Sequence, residues 1–540
     1  MDSLSKKDSI LLAAAVLAGG FILLYFNLFY FPNIPIHLYG DNSTYLFNAR
    51  RMMDGQRIYR DFFQHTLPAT EVVYFLLFSL LGAHAWIPNL LQILLGLSLA
   101  GIITVISRKV ISGRTAFLPA VLFLVIPFYS QPGAAHYWFS ILMAMAAISL
   151  LIDHITALGL VGAGALCGLA TCFSQSRGVS AEVGLAAYLV WAVFKKILTW
   201  SDCRKAQTYL WAPFVAIIVA FNAYFALATG LGNFLRDTVA FGFRYWPAAT
   251  WNSFYAYMTD IPGVHPWYRW PELIVWLAVY LLVPLIYLLF FVRYWDEEKD
   301  LPSEPWDRLI MVWFVGLALF LGAATAPTWV RLCMVSPPAL ILFVWQFNFE
   351  GRFQKVRMTA VWGLAIALAI GLIVGRKLEW RGYATTPIGK VAVLNPVQYE
   401  EINFLLGKTS PGEYFFGNNG VGYLLGLRDP ARVPYVTASN YTRPEQVNDV
   451  IESLKRHSVE YVFWSPALAA PQEYPSSPNH LAPLFTYLSS HYHVIKTFSN
   501  FDTVWQKGLA PPPEPPVQPG MQTPAESQPP GSAPIPIPLP

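Results

Sequence analysis

The chain has 540 residues, 55% of them hydrophobic and 13% charged, with a mean hydropathy of +0.43. Those values exclude a soluble protein of this length. The formal net charge of +4 says little by itself; what matters is where Lys and Arg fall along an apolar chain, and no nucleic-acid partner is expected.

Several runs of about 18 or more residues lack charge, and each is long enough to cross the hydrocarbon core. The expected fold is a polytopic α-helical membrane protein of about eleven spans. The first span, Ile10 to Phe31, follows Lys6 and Lys7, which puts the N-terminus in the cytoplasm. No small-residue cleavage site precedes it, so it reads as a retained span. An external loop, residues 32–69, comes next. Within it Thr44 to Met53 has helical character, with Tyr45, Leu46, Ala49 and Met52 or Met53 near one face, as in a helix lying along the interface with that face in lipid.

Thr70 to Leu81 is apolar but short for a span. The basic segment SRKVISGR after the next run prefers the cytoplasm. Thr70 to Leu81 is therefore read as an external juxtamembrane or re-entrant helix, and Trp86 to Ile106 as the second span. The later spans are Ala116 to Tyr129, Phe139 to Ile152, Ala157 to Phe173, Val179 to Phe194, Leu210 to Thr229, Leu273 to Val292, Leu309 to Ala326, Leu332 to Phe347 and Val361 to Val374. The loops KKILTWSDCRK, RYWDEEKDLPSEPWDR and GRFQKVR then fall in the cytoplasm. SQPGAAHYW, SQSRG, PTWVR and the long loop 230–271 fall outside.

This membrane domain occupies residues 1–375. Residues 376–509 read as a small external α/β domain, with strands at Glu413 to Phe416 and Val459 to Trp464. An amphipathic helix is expected at Pro444 to His457, and a final strand pair at Val494 to Phe498 and Asp502 to Gln506. Residues 510–540 form a Pro-rich tail expected to be disordered. Cys167, Cys172, Cys203 and Cys333 suggest no disulfide framework and read as packing residues.

Polar chemistry concentrates in Gly40 to Pro68, which carries three Asp, four Arg, a His and two Tyr. Asp41 reads either as the N-cap of the following helix or as a general base at the membrane surface. Asp61 is a second acid on the same side, with Arg60 beside it as a surface partner; His65 precedes TLP. Asp41, Asp61 and His65 together suggest a divalent metal, although no recognised ligand spacing supports one. Arg177 and Arg331 sit at external helix ends, where they either snorkel or bind a phosphate through their guanidinium groups. Arg236 and Arg244 in the long loop are weaker phosphate candidates. Tyr45, Arg57, His136, Tyr137 and Glu182 complete the substrate-binding candidates. Glu182 lies inside a span, and Arg177 is its expected partner.

The segments GDNSTYLFNARRMMDGQRIYRDF and HTLPATEVVYFLLFSLLG resemble the GT-C superfamily of membrane glycosyltransferases. The nearest branch is the bacterial one, similar to protein mannosyltransferases, lipid A aminoarabinose transferases and related lipopolysaccharide sugar transferases. Gly55 to Asp61 and His65 to Tyr74 fill the places of two short family motifs. The chain departs from the family where a second acid is common after span three, since His136 and Tyr137 stand there, and where a Pro-Pro pair is reduced to Leu67-Pro68-Ala69. The resemblance implies transfer of a sugar from a polyprenyl-phosphate carrier to a hydroxyl acceptor of the cell envelope, with inversion. It also implies Asp41 as general base, leaves either Asp61 or Glu182 as a second carboxylate, and puts Arg177 and Arg331 on the departing phosphate. The implied location is a bacterial inner membrane with the C-terminal domain on the periplasmic side.

A lipid or sugar transporter or flippase is the alternative from another class. Transporters place charges and broken helices near the bilayer midplane, whereas these charges cluster at external span ends. A non-catalytic scaffold leaves the acidic loop after span one unexplained.

Overall fold

A computed structural model describes residues 5–248, 252, 270–298, 304–348, 353–437, 442–466 and 480–508. The Pro-rich tail and most of the second half of the loop 230–271 lie outside the described residues.

The chain opens with helix α1 (Lys6–Leu28), started by Ser5, whose hydroxyl accepts the Asp8 N–H. Two helices follow in the loop after α1, α2 (Asp41–Met53) and α3 (Ala69–Leu81). The bundle continues with α4 (Ile87–Val110), α5 (Leu118–Phe123), α6 (His136–Leu151), α7 (Ala157–Phe173), α8 (Gln175–Phe194) and α9 (Trp200–Thr229). Among the described residues, six helices are long and apolar enough to cross a membrane: α1, α4, α8, α9, Trp306–Ala323 and Gln354–Leu378. Shorter apolar helices stand at other expected spans, among them α6, α7 and Ser336–Phe347.

α3 keeps to 13 residues, roughly 20 Å at 1.5 Å per residue, which falls short of a bilayer core of about 30 Å. It buries Tyr74 and Phe78 against protein and leaves Leu76 and Leu80 exposed, the pattern of a juxtamembrane helix.

α2 departs from its expected environment. Tyr45, Leu46 and Ala49 are buried in protein, not presented to lipid. The opposite face is covered as well: Asn42, Ser43 and Phe47 are buried, and Phe47 packs on Gly422 of the C-terminal region. A helix enclosed on both sides has too many small and polar residues (Asn42, Ser43, Asn48) for a lipid-facing stripe, and those residues meet partners from α3 and the C-terminal region.

Strands β1 (Phe29–Tyr30) and β2 (Ile34–Pro35) pair antiparallel just after α1, and the C-terminal region contains two further sheets. Strands β3 (Gly382–Thr386) and β4 (Gly389–Val393) form an antiparallel hairpin. A four-stranded sheet has the order β5-β6-β8-β7, with β5 (Phe415–Phe416) parallel to β6 (Tyr461–Trp464) and β8 (Thr503–Lys507) antiparallel to both β6 and β7 (Tyr492–Thr497). Helix Pro444–Arg456 packs Val447, Val450 and Leu454 beneath it. The helix and the later strands lie where the sequence suggests them. The β3–β4 hairpin and the helices Pro396–Leu406, Asn419–Leu425 and Ala482–His491 have no counterpart in the sequence reading.

This region is fastened to the loop after α1. The His37 N–H donates to the Ala392 carbonyl at 2.8 Å, and the Phe63 N–H to the Arg432 carbonyl at 2.8 Å. Arg51 reaches across from α2, its Nη2 donating to the Ala431 carbonyl at 2.8 Å and its Nη1 lying 3.3 Å from Asp429 Oδ2. Both ionic side chains are nearly inaccessible, so the pair holds only because each desolvated charge faces the other. The four cysteines are free and buried.

Candidate active site

Asp41 is the first residue of α2, and the residue before it decides its role. Gly40 has φ +100°, a conformation L side chains rarely adopt, and it occupies the N-cap position without a side-chain cap. Asp41 is therefore not the cap. Among the described residues its carboxylate makes no hydrogen bond and no ion pair. It is exposed to solvent and yet densely surrounded by protein. Burial raises its pKa above 3.8, while Arg331 and Arg177 pull it back down.

The two arginines reach this point from different helices. Arg177 stands in the first turn of α8, and its Nη1 donates to Ser174 Oγ at 2.9 Å. Its neighbour Gly178 is needed for close approach: a Cβ there would lie 2.2 Å from the Thr171 backbone nitrogen of α7. Arg177 Nη2 lies 3.2 Å from Met334 Sδ, in the short helix Trp329–Met334 that also carries Arg331. Thr328 caps that helix, accepting the Arg331 N–H at 3.3 Å. Arg331 Nη1 donates to the Ala326 carbonyl at 2.9 Å and Nη2 to Asn252 Oδ1 at 2.5 Å. Among the described residues Arg177 Nε is buried without a partner. The charges of the two guanidiniums thus both act on the Asp41 carboxylate.

Aromatic and imidazole groups fill the rest of the wall. Tyr45 Oη is 2.7 Å from His136 Nδ1. Tyr137 lies under the Arg177 guanidinium, 6.0 Å from ring centroid to Cζ. His65 packs its ring on Trp246 at 4.5 Å and near Phe241 at 5.8 Å, and burial lowers its pKa to about 4, so it is neutral at pH 7. Thr44, Phe63, Gln64, His65, Tyr435 and Gln446 line a narrow cleft of about 30 Å³ between the loop after α1 and the C-terminal region. Thr44 is three residues beyond Asp41 on the same side of α2, but Asp41 itself does not line the cleft.

Other candidates stand elsewhere. Asp61 accepts from Arg60 Nε and Nη2, each at 2.8 Å, and from the Arg57 N–H at 2.8 Å. Arg60 holds its carboxyl below the ordinary range, and no group of the Asp41 site acts on it. It closes the turn Arg57 to Asp61 and forms the surface ion pair with Arg60. Arg57 is exposed and contributes its backbone to that turn. Arg244 is exposed over the Tyr245 ring at 5.4 Å and is not part of the Asp41 group. Glu182 is 0% exposed, beside the Cys167 thiol of α7, and is not paired with Arg177. The reason is geometric: five residues along a helix turn about 140° away from the starting face. Among the described residues no group of three or more His, Cys, Asp or Glu could hold a metal ion, and Asp61 is not positioned to share one with Asp41.

One buried acid was absent from the sequence reading. Glu71, in α3, is 0% exposed and accepts from Gln64 Nε2 and, at 3.4 Å, from Asn48 Nδ2. Burial raises its pKa to about 7. It ties α2, the loop before His65 and α3 to one another. Tyr74 adds a second tie, its hydroxyl lying 2.8 Å from Asn42 Oδ1 and 2.7 Å from the Ala134 carbonyl.

No family model matches the chain, and no curated protein matches it. Solved structures do. ArnT from Cupriavidus metallidurans, bound to undecaprenyl phosphate, aligns over 93% of this chain and 98% of its own with a TM-score of 0.58 at 12% identity. The chain has the GT-C fold. The apo state of the same ArnT aligns with a TM-score of 0.55 at 13% identity, over 92% of this chain and 97% of its own. The archaeal oligosaccharyltransferase AglB from Archaeoglobus fulgidus, in complex with an inhibitory peptide and a dolichol-phosphate, aligns over 92% of this chain and 74% of its own, with a TM-score of 0.50 at 11% identity. The likeness runs through the membrane helices and the C-terminal region together, as the coverage of this chain requires. At these identities it speaks for the GT-C fold and not for any single residue.

Proposed function

We propose that the chain is an integral-membrane glycosyltransferase that moves a sugar from a polyprenyl-phosphate carrier to a hydroxyl acceptor on the external face. The observation that carries this reading is Asp41: a carboxylate that makes no hydrogen bond among the described residues and is acted on by the charges of Arg177 and Arg331. ArnT and AglB, which share the fold, are bound in their structures to undecaprenyl phosphate and a dolichol-phosphate, which favours a lipid phosphate as the donor's leaving group.

In this reading Asp41 takes the proton of the acceptor hydroxyl as its oxygen attacks the anomeric carbon. The bond from that carbon to the phosphate oxygen breaks, and the electron pair leaves with the lipid phosphate. Arg177 and Arg331 stabilise the charge that develops there. Attack opposite the leaving group inverts the anomeric centre. The about eleven spans, a cytoplasmic N-terminus and a periplasmic C-terminal domain in a bacterial inner membrane belong to the same proposal.

The test is transfer from polyprenyl-phosphate sugars by the purified full chain, followed as a function of pH. Asp41 works as a base only when ionised, and its pKa is raised above 3.8. Transfer therefore falls as the pH drops through that raised value. Replacing Arg331 with Ala removes a charge that favours the carboxylate and moves the acid limb to higher pH. Binding of lipid phosphate without transfer from any polyprenyl-linked sugar would instead favour a lipid transporter.

A further inference from the structure

The start of α6 holds a histidine whose two ring nitrogens have different surroundings. His136 Nδ1 is 2.7 Å from Tyr45 Oη, with the ring centroids 5.4 Å apart. Tyr45 is 4% exposed, and burial together with the Glu71 and Asp41 carboxyls keeps its phenol protonated far above the ordinary range. His136 Nδ1 is the hydrogen-bond partner of Tyr45 Oη among the described residues, and a buried hydroxyl proton needs an acceptor, so the phenol donates and Nδ1 accepts. A neutral imidazole that accepts at Nδ1 carries its single proton on Nε2.

That Nε2–H has no partner among the described residues, and His136 is half-buried. The charged and titratable groups facing it are Arg177 from α8, Arg331 from the Trp329–Met334 helix, His65 from the loop, and Tyr45 and Tyr137. With two guanidiniums beside it, a further positive charge on the ring is opposed, and the imidazole stays a neutral donor. Two cations and one oriented N–H converge on a ligand with several anionic oxygens, a phosphate monoester.

We infer that His136 donates its Nε2–H to the phosphate of the lipid carrier, and that Tyr45 is a positioning residue that fixes this tautomer. The inference rests on the transferase reading above. The contact moves no proton. It strengthens as the phosphate gains charge when the bond to the sugar breaks, and so adds to what Arg177 and Arg331 do. It gives a role to the two residues standing where the resemblance leads one to look for a second acid.

The test uses the full chain in lipid nanodiscs and measures binding of undecaprenyl phosphate, inorganic phosphate and uncharged undecaprenol. His136→Leu weakens undecaprenyl phosphate binding by about tenfold or more. His136→Gln, whose amide N–H stands near the place of Nε2–H, stays within about threefold of the parent. Tyr45→Phe falls between them, and nitrogen-15 spectra of the histidines change from the Nε2–H form of His136 to a mixture. The same ranking with inorganic phosphate, and none with undecaprenol, assigns the effect to the headgroup. Equal binding by His136→Leu and the parent overturns the inference, as does a Gln variant as weak as the Leu variant, or a parent His136 protonated on Nδ1. An equal ranking with undecaprenol overturns it as well. A parent chain that binds no undecaprenyl phosphate at all overturns the donor class itself, and so separates the two failures.

Discussion

Asp41 and Asp61 lie in the same loop, 20 residues apart by their numbering, and each has arginines near it. Asp61 is saturated: a bidentate Arg60 and a backbone N–H take up its oxygens, and the group closes a turn. Among the described residues Asp41 has no such partner, and Arg177 and Arg331 act on it through their charge alone. The difference teaches how to tell a scaffold charge from a working one. A scaffold charge is neutralised by its neighbours before any ligand arrives. A working charge is held in place by the backbone, here by Gly40 and α2, and left incomplete.

The comparison breaks first at Asp41 itself. Asp41→Asn lowers transfer by about 10²–10⁴-fold, the range for loss of a general base, with the variant folded as judged by its melting temperature. Arg177→Ala comes next, at about 10²–10³-fold in turnover, because a charge aimed at the leaving phosphate is removed from an enclosed site. Asp41→Asn keeps its affinity for undecaprenyl phosphate, whereas Arg177→Ala loses it; a direct binding measurement separates the two roles.

Much of this site was legible in the chain because charge is scarce in it. Asp41, Arg177 and Arg331 stand at the external ends of apolar runs, and the fold brings them to one place. The rest was hidden for particular physical reasons. The N-cap reading of Asp41 failed because Gly40, with its positive φ, takes that position. Pairing Glu182 with Arg177 failed because proximity in sequence is not proximity on a helix surface. Glu71 looked like an ordinary first-turn acid of an apolar helix, and nothing local announced that Gln64 and Asn48 would enclose it. The interfacial reading of α2 rested on one apolar face; the C-terminal region that covers the other face comes from more than 350 residues further along the chain, as the Asn419 contact with Thr44 shows. In the C-terminal region the strongly amphipathic helix Pro444–Arg456 was legible, while the short β3–β4 hairpin, tied by His37 to the first loop, depends on a contact between distant segments.

Two smaller effects sharpen the contrast between scaffold and site. Glu71 has its pKa raised from 4.5 to about 7 in the folded chain. The folded state thus holds this proton more tightly, so its contribution to stability is full below about pH 4.5 and is lost as the pH rises through about 7. Glu71→Gln flattens that part of the pH–stability curve, read by thermal unfolding at a series of pH values. Asp61→Asn has the smallest effect on activity, within about threefold in turnover, since surface ion pairs of this kind are worth about 1 kcal/mol or less. A loss at Asp61 as large as that at Asp41 would erase the distinction between them.

The most direct measurement is an experimental structure of the full chain with undecaprenyl phosphate. The account predicts phosphate density between the Arg177 and Arg331 guanidiniums, with the Asp41 carboxylate facing the same space and Asp61 still bound to Arg60. A phosphate held elsewhere, with Asp41 turned out of the cavity, would contradict it.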